Sequence, residues 1–230
     1  MNEFFRESFF AGAALTFAAY EAGLMIRKRY RAAILNPLLL GIAIVMAVLK
    51  IIHVNYSSYL EGAKYISYFL TPATVCLALP LYRQMRFLKK NFNAAVSGVL
   101  FGTLSSLLLV FLTAKLFQLN HQEYVTILPK SITTAIGLEI SDELGGTVAV
   151  TAAVIILTGI WGSVIEEMVF QRLKIEDPLA KGIALGTSAH AIGTVKAMEM
   201  GKEEGAASGF AIAASGLITV VLAPIFAKFI

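Results

Sequence analysis

The chain has 230 residues, of which 57% are hydrophobic and only 15% charged, against roughly 25% charged in ordinary soluble domains. A mean hydropathy of +0.75, with apolar runs of about 20 residues recurring along the chain, excludes an ordinary soluble fold. The formal charge of +4 comes from Lys and Arg set between apolar runs, so the positive-inside rule accounts for it and no nucleic-acid partner is implied.

The N-terminus, MNEFFRESFF, mixes Glu3 and Glu7 with Arg6 and shows no cleavage site, so the first apolar run, 8–26, is expected to stay in the mature protein. It ends at the basic RKRYR loop (Arg27, Lys28, Arg29, Arg31). The second run, 32–52, is entered through Asn36-Pro37, and proline is tolerated at a helix start. The polar, aromatic HVNYSSYLEGAK (53–64) suits a membrane surface. The third run, 62–82, carries Pro72 near its middle and Pro80 near its end, and the basic loop 83–90 (Arg83, Arg86, Lys89, Lys90) follows. The fourth run is 93–117. Then come the polar-spotted segment 123–143 and three further runs, 146–165, 178–198 and 206–229.

The basic loops 27–31 and 83–90 lie two spans apart, so both can be cytoplasmic with the N-terminus outside. The second half loosely copies the first. NAAVSGVLFGTLSSLLLVFLTAKLF (93–117) matches GAASGFAIAASGLITVVLAPIFAKF (205–229), each after a charged loop and a span broken by polar or helix-disrupting residues. The expectation is a single domain, 1–230, with repeat-like halves at about 32–117 and 146–229. Its fold is an all-α, polytopic membrane bundle of seven to eight segments with interrupted helices. The repeats are inverted if 123–143 enters and leaves on one side, and parallel if it crosses. The preferred reading is seven crossings plus a hairpin.

Corresponding interrupted helices in two halves point to a transporter binding site. Lys130, in ILPKSITTAIGLEIS, is a charge in an apolar chain, which at bilayer depth is expensive and faces a cavity or a partner. Pro129 removes a backbone donor. If the segment is helical, Lys130, Thr133 and Thr134 share a face, beside Ser131 and a possible helix N-terminus that attracts anions. The alternative is an interfacial lysine that snorkels to headgroups. In 186–199, Thr187, His190 and Thr194 share a helical face, and Gly186 and Gly193 allow either a break or close helix approach. His190 is read as a proton relay or anion ligand, or as a buried histidine bonded to a carbonyl. Thr71, Pro72 and Thr74 are the partner break in the third run. Glu139 is the one acidic residue of its segment deep enough to consider for ion coupling.

Cys76 stands alone, so no intrachain disulfide and no metal spacing exist around it. His53, His121 and His190 are too dispersed in sequence to suggest a metal site. EEMVFQR (166–172) resembles the Glu-Glu-x-x-x-Arg pattern of a family of intramembrane proteases. Four residues intervene rather than three, and no nucleophile elbow or phosphate loop accompanies it, so no enzyme and no cofactor is expected.

YFLTPATVCLALPLY, PKSITT, GGTVAVTAAVIILTGIWG and SAHAIGTVKAMEMGKEEGAASG closely resemble the LrgB/CidB family of bacterial membrane proteins, and the resemblance runs over nearly the whole chain. Ala135 departs from the family, which often has proline after the paired threonines, so the second half of this segment is expected to be more regularly helical. The resemblance implies a multi-pass protein of the bacterial cytoplasmic membrane with a smaller LrgA/CidA-type membrane partner, a homo-oligomeric state, or both. It carries two functions. One is holin/antiholin-like regulation of murein hydrolase export, membrane permeability and lysis. The other is alternating-access transport of small 2-oxo or 2-hydroxy monocarboxylates of the pyruvate, glycolate and glycerate type, coupled to a proton or sodium. The plastid glycolate/glycerate translocator looks like a fusion of a partner-type domain to an LrgB-type domain. The resemblance also groups the chain with broken-helix secondary transporters. On the transport reading Lys130 holds the carboxylate, Ser131, Thr133, Thr134, Thr71 and Thr74 supply hydroxyls, and His190, with Thr194 on its face, couples a proton. Matching breaks in two halves favour transport, because a pore former has no need of them.

Overall fold

Long unbroken apolar sequence sets the longest elements. The computed structural model describes residues 2–8, 10–30, 36–76 and 78–230, and among them it contains helices and turns but no strand. Among the described residues three helices are long and apolar enough to cross a bilayer: α8 (Phe92–Leu116), α11 (Val148–Arg172) and α14 (Lys202–Phe226). The chain divides into two units, Met1–Cys76 and Leu77–Ile230.

The first unit holds α1 (Asn2–Glu7), α2 (Ala11–Tyr30), α3 (Pro37–Ile51), α4 (Tyr56–Ser67) and α5 (Leu70–Cys76). Asn36 caps α3, its side chain accepting from the Leu38 N–H at 2.9 Å, with Pro37 at the first helical position where its missing N–H costs nothing. The expected basic loop after the first run is helical as far as it is described: Arg27, Lys28 and Arg29 form the last turn of α2, where cations complement the helix dipole. Arg31 lies outside the described residues. The third run, 62–82, is not one rod. Helix α4 stops at Ser67, α5 covers Leu70–Cys76, and α6 (Ala78–Arg83) belongs to the second unit.

In the second unit, α7 (Met85–Lys90) makes the expected basic loop 83–90 largely helical. Two helical hairpins then alternate with the three long helices. Hairpin A consists of α9 (His121–Ile127) and α10 (Thr134–Glu143). Asn120 and Glu123 close a capping box at its entry. The chain after α10 returns to α9: the Thr147 N–H donates to Thr126 Oγ1 at 2.8 Å, and Thr151 Oγ1 donates to the Thr126 carbonyl at 2.8 Å. The segment 123–143 therefore doubles back on itself.

Hairpin B corrects the expected crossing at 178–198. Helix α12 (Pro178–Ser188), capped by the Asp177 carboxylate on the Ala180 N–H, runs in. Helix α13 (His190–Met200) runs back. Both arms meet the same residue of α14, since Thr194 Oγ1 lies 2.9 Å from Ser208 Oγ and a Cβ on Gly186 would lie 2.6 Å from the Ser208 carbonyl. Lys181 and Met200, near the two outer ends, line one cavity. The reversal falls at Ala189 and His190, whose φ of 43° is left-handed. An α-helix cannot continue through that geometry.

The register along α8 shows how the hairpins face each other. Gly98 and Gly102 abut Ile183 and Thr187 of hairpin B. Further along, Ser106 Oγ donates to Ser131 Oγ at the turn of hairpin A, and Phe111 packs edge-on against Tyr124. The hairpins enter from opposite ends of α8, and their turns meet near its midpoint.

Candidate functional site

The turn of hairpin A carries Lys130. Pro129 has no N–H to continue the ladder, and the Lys130 N–H closes a tighter bond to the Ile127 carbonyl at 3.2 Å. Helix resumes only at Thr134. The expected helical face of Lys130, Thr133 and Thr134 therefore does not form, because residues 128–133 are not helical. Lys130 is half-buried, and its Nζ donates to Ser131 Oγ at 3.0 Å. Ser131 also accepts from Ser106 at 2.9 Å, so Lys130 is tied through one hydroxyl to the middle of α8. Thr133 is the N-cap residue of α10 with extended backbone and no side-chain cap bond, and Thr134 opens the helix. The N-terminus of α10, with its unsatisfied N–H groups, thus begins at the same turn as the lysine.

Hairpin B brings the N-terminus of α13 to the matching depth. His190 is 2% exposed, and its Nε2 donates to the Ile155 carbonyl at 2.9 Å, near the middle of α11. Thr194 is fully buried; its hydroxyl donates to the His190 carbonyl and pairs with Ser208, stitching α13 to α14. Thr187 donates back to the Ile183 carbonyl. Gly186 and Gly193 lie inside α12 and α13 rather than at the break. A Cβ on Gly193 would lie 2.5 Å from the Leu185 carbonyl, so this glycine lets the two arms touch.

A cavity of about 530 Å³ opens beside these turns, lined among others by Lys130, Thr158, Trp161, Glu166, Leu185 and Ser188. Lys130 and Ser188 bring the two turns to the same space. Ser131, Thr187, Ser106 and Thr103 surround a much smaller buried pocket next to it. Thr133, Thr134, His190 and Thr194 do not line the larger cavity. Thr71 and Thr74 lie in α5 of the first unit, and their side chains are outside the described residues; Pro72 is exposed within that helix. Glu139 is exposed on α10. Among the described residues no three His, Cys, Asp or Glu side chains cluster as metal ligands.

Sequence reasoning missed two charged residues. Glu166 is 4% exposed near the end of α11, and its Oε1 lies 3.7 Å from Lys196 Nζ on α13. Lys196 lies 3.5 Å from Glu199 as well. The signal was present: a carboxylate in an apolar run of membrane length is a functional candidate by default. In the sequence, however, Glu166 stands out only within the protease-like EEMVFQR pattern.

The LrgB-like family model matches residues 16–229. The chain is 38% identical over 211 residues to the holin-like protein CidB of Staphylococcus aureus, covering 92% of each chain. It is 36% identical over 211 residues, again 92% of each, to the holin-like protein CidB of Staphylococcus epidermidis. It is 34% identical over 220 residues to the antiholin-like protein LrgB of Bacillus cereus, covering 95% of this chain and 96% of the relative. No solved structure matches.

Proposed function

Because the chain belongs to the LrgB-like family, we propose that it is a holin-like or antiholin-like protein of the bacterial cytoplasmic membrane. In this role it sets membrane permeability, together with a smaller membrane partner or further copies of itself. The observation that carries this reading is full-length similarity to relatives of both names, joined to three helices long enough to cross a bilayer. Murein hydrolase export and lysis would follow from that permeability.

A second reading has a specific observation in its favour. Lys130, the N-terminus of α10 and the N-terminus of α13 converge from opposing hairpins at the midpoint of a membrane-length helix. A cation with two helix N-termini favours a small anion, and buried hydrogen-bond donors hold a carboxylate by charge-assisted bonds. The reading is passage of small 2-oxo or 2-hydroxy monocarboxylates by alternating access, with hairpins that enter from opposite ends as inverted elements and a proton or sodium as coupling ion. It assigns no catalytic residue.

Reconstitution separates the two. Purified protein, alone and with its small partner, is placed in liposomes that hold a self-quenched dye, and uptake of labelled pyruvate, glycolate, glycerate and lactate is followed. The permeability reading expects dye release that rises with protein density and does not saturate. The carboxylate reading expects saturable uptake without dye loss. In that case Lys130→Ala lowers uptake about ten- to a hundredfold, as loss of a hydrogen bond to a charged group does. Neither dye release nor saturable uptake would sink both.

A further inference from the structure

The cavity at Lys130 has a neighbour. A second cavity of about 440 Å³ is lined by Glu166, Glu167, Phe170, Gln171, Lys181, Lys196, Glu199 and Met200. These residues come from the end of α11, the start of α12 and the end of α13, so the cavity lies at the outer end of hairpin B. Of the residues lining the two cavities, only Glu166 and Phe170 line both. We propose that the cavities are successive chambers of one path, and that Glu166, latched to Lys196 across the face between α11 and α13, is the gate between them.

The charges fit a latch better than a structural tie. At 3.7 Å, Oε1 is too far from Lys196 for a hydrogen bond, and Oε2 has no hydrogen-bond partner among the described residues, although the side chain is 97% buried. Most buried polar side-chain atoms have a hydrogen-bond partner, so an orphaned carboxylate oxygen calls for a functional explanation. Lys196 stands 3.5 Å from the exposed Glu199, one turn further along α13. It can leave Glu166 for Glu199 without losing a counter-ion. Phe170 completes the wall, packed against Leu185 of α12 and Ala197 of α13. Both arms of hairpin B therefore bear on the partition, and displacement of α13 from α11 would open it. The second chamber sets Lys181 and Lys196 among the carboxylates Glu166, Glu167 and Glu199, so a small anion passing outward from Lys130 would meet a lining of mixed charge. What passes rests on the carboxylate reading above; the existence of the gate does not.

Thiol accessibility tests the gate directly. In a Cys76→Ser background, Ser188→Cys places one thiol in the first chamber. A charged, membrane-impermeant methanethiosulfonate is applied to sealed vesicles of each orientation. From the side of the 173–177 connection, labelling should be slow with the native pair and about tenfold faster in Glu166→Gln, which frees Lys196 for Glu199. The double variant Glu166→Gln/Lys196→Gln leaves no unpaired buried charge, and it should label as fast even if a single variant folds poorly. Equal rates in native and double-variant protein overturn the gate. Protection of the open variant by pyruvate or glycolate supports the anion path. Fast labelling without protection overturns the carboxylate occupant and leaves the gate standing.

Discussion

His190 has the least common backbone of the site, a left-handed φ of 43° in a side chain that is 2% exposed. Such geometry is costly for a residue with a Cβ and persists where its surroundings enforce it. The Nε2 bond to the Ile155 carbonyl is that enforcement, and Gly159 makes room for the ring: a Cβ there would lie 2.6 Å from Cε1. His190→Ala loses the bond and the packing but keeps the strained backbone, so it should destabilise by about 1–3 kcal/mol. Thermal unfolding in detergent reads this, and an unchanged midpoint would contradict it. His190→Asn should recover part of the loss, because asparagine tolerates the left-handed region. The sequence offered two readings of this residue, and the choice between them depended on a carbonyl 35 positions away. Periodicity carries no information about that. Lys130 was legible as a charge out of place, but Ser106, to which it is tied only through Ser131, sits in an apolar run that reads as plain span.

At the scale of elements, hairpin A is held by hydroxyls rather than by apolar area alone. Thr151, fully buried on α11, donates to the Thr126 carbonyl of α9 and lies 2.6 Å from Ser141 of α10. One hydroxyl thus joins both arms to a membrane-length helix. Thr151→Val keeps the shape and removes the bonds, leaving a buried carbonyl and a buried hydroxyl short of a partner, at about 1–3 kcal/mol. Hydrogen exchange should accelerate across 121–147 and stay unchanged in α14. Equal acceleration in both would mean that the hairpin has no local stability of its own. The fold-back of 123–143 was legible only as one of two readings, preferred because inverted repeats would require it, with Pro129 marking the turn. The fold-back of 178–200 was not. Its 23 apolar-leaning positions satisfy a span template, and its break rests on a φ reversal at an Ala-His pair, with no proline and no glycine at the turn. The repeat reading made Thr71, Pro72 and Thr74 of the third run the partner break of this one. Within the second unit, the element that matches hairpin B in form is hairpin A, which shares almost none of its letters.

For the second unit as a whole, the hairpins fix a testable topology. The outer end of hairpin B gathers Arg172, Lys174, Lys181 and Lys202, and a cavity there is shared by Arg83 and Gln84 with Met198 and Lys202. Glu176, Asp177, Glu199, Glu203 and Glu204 lie at the same end, and the outer end of hairpin A carries Glu123, Asp142 and Glu143 with Lys115 and Lys228 nearby. Lys and Arg are thus more numerous at the first end, and because the positive-inside rule counts them rather than net charge, it predicts that end to be cytoplasmic. The basic stretch 83–90 then lies with the first end, because α8 starts beside hairpin B. In a Cys76→Ser background, Glu176→Cys should react with an impermeant thiol reagent only after the cytoplasmic face is opened, and Gln122→Cys should react in intact cells. Both residues are exposed, so slow reaction cannot be blamed on burial. Labelling of both from the same side would remove the opposed hairpins. With them would go the convergence of Lys130 and the two helix N-termini at mid-depth, on which the carboxylate reading depends. The family-based permeability reading would survive that result, because it requires helices that span and not turns that meet.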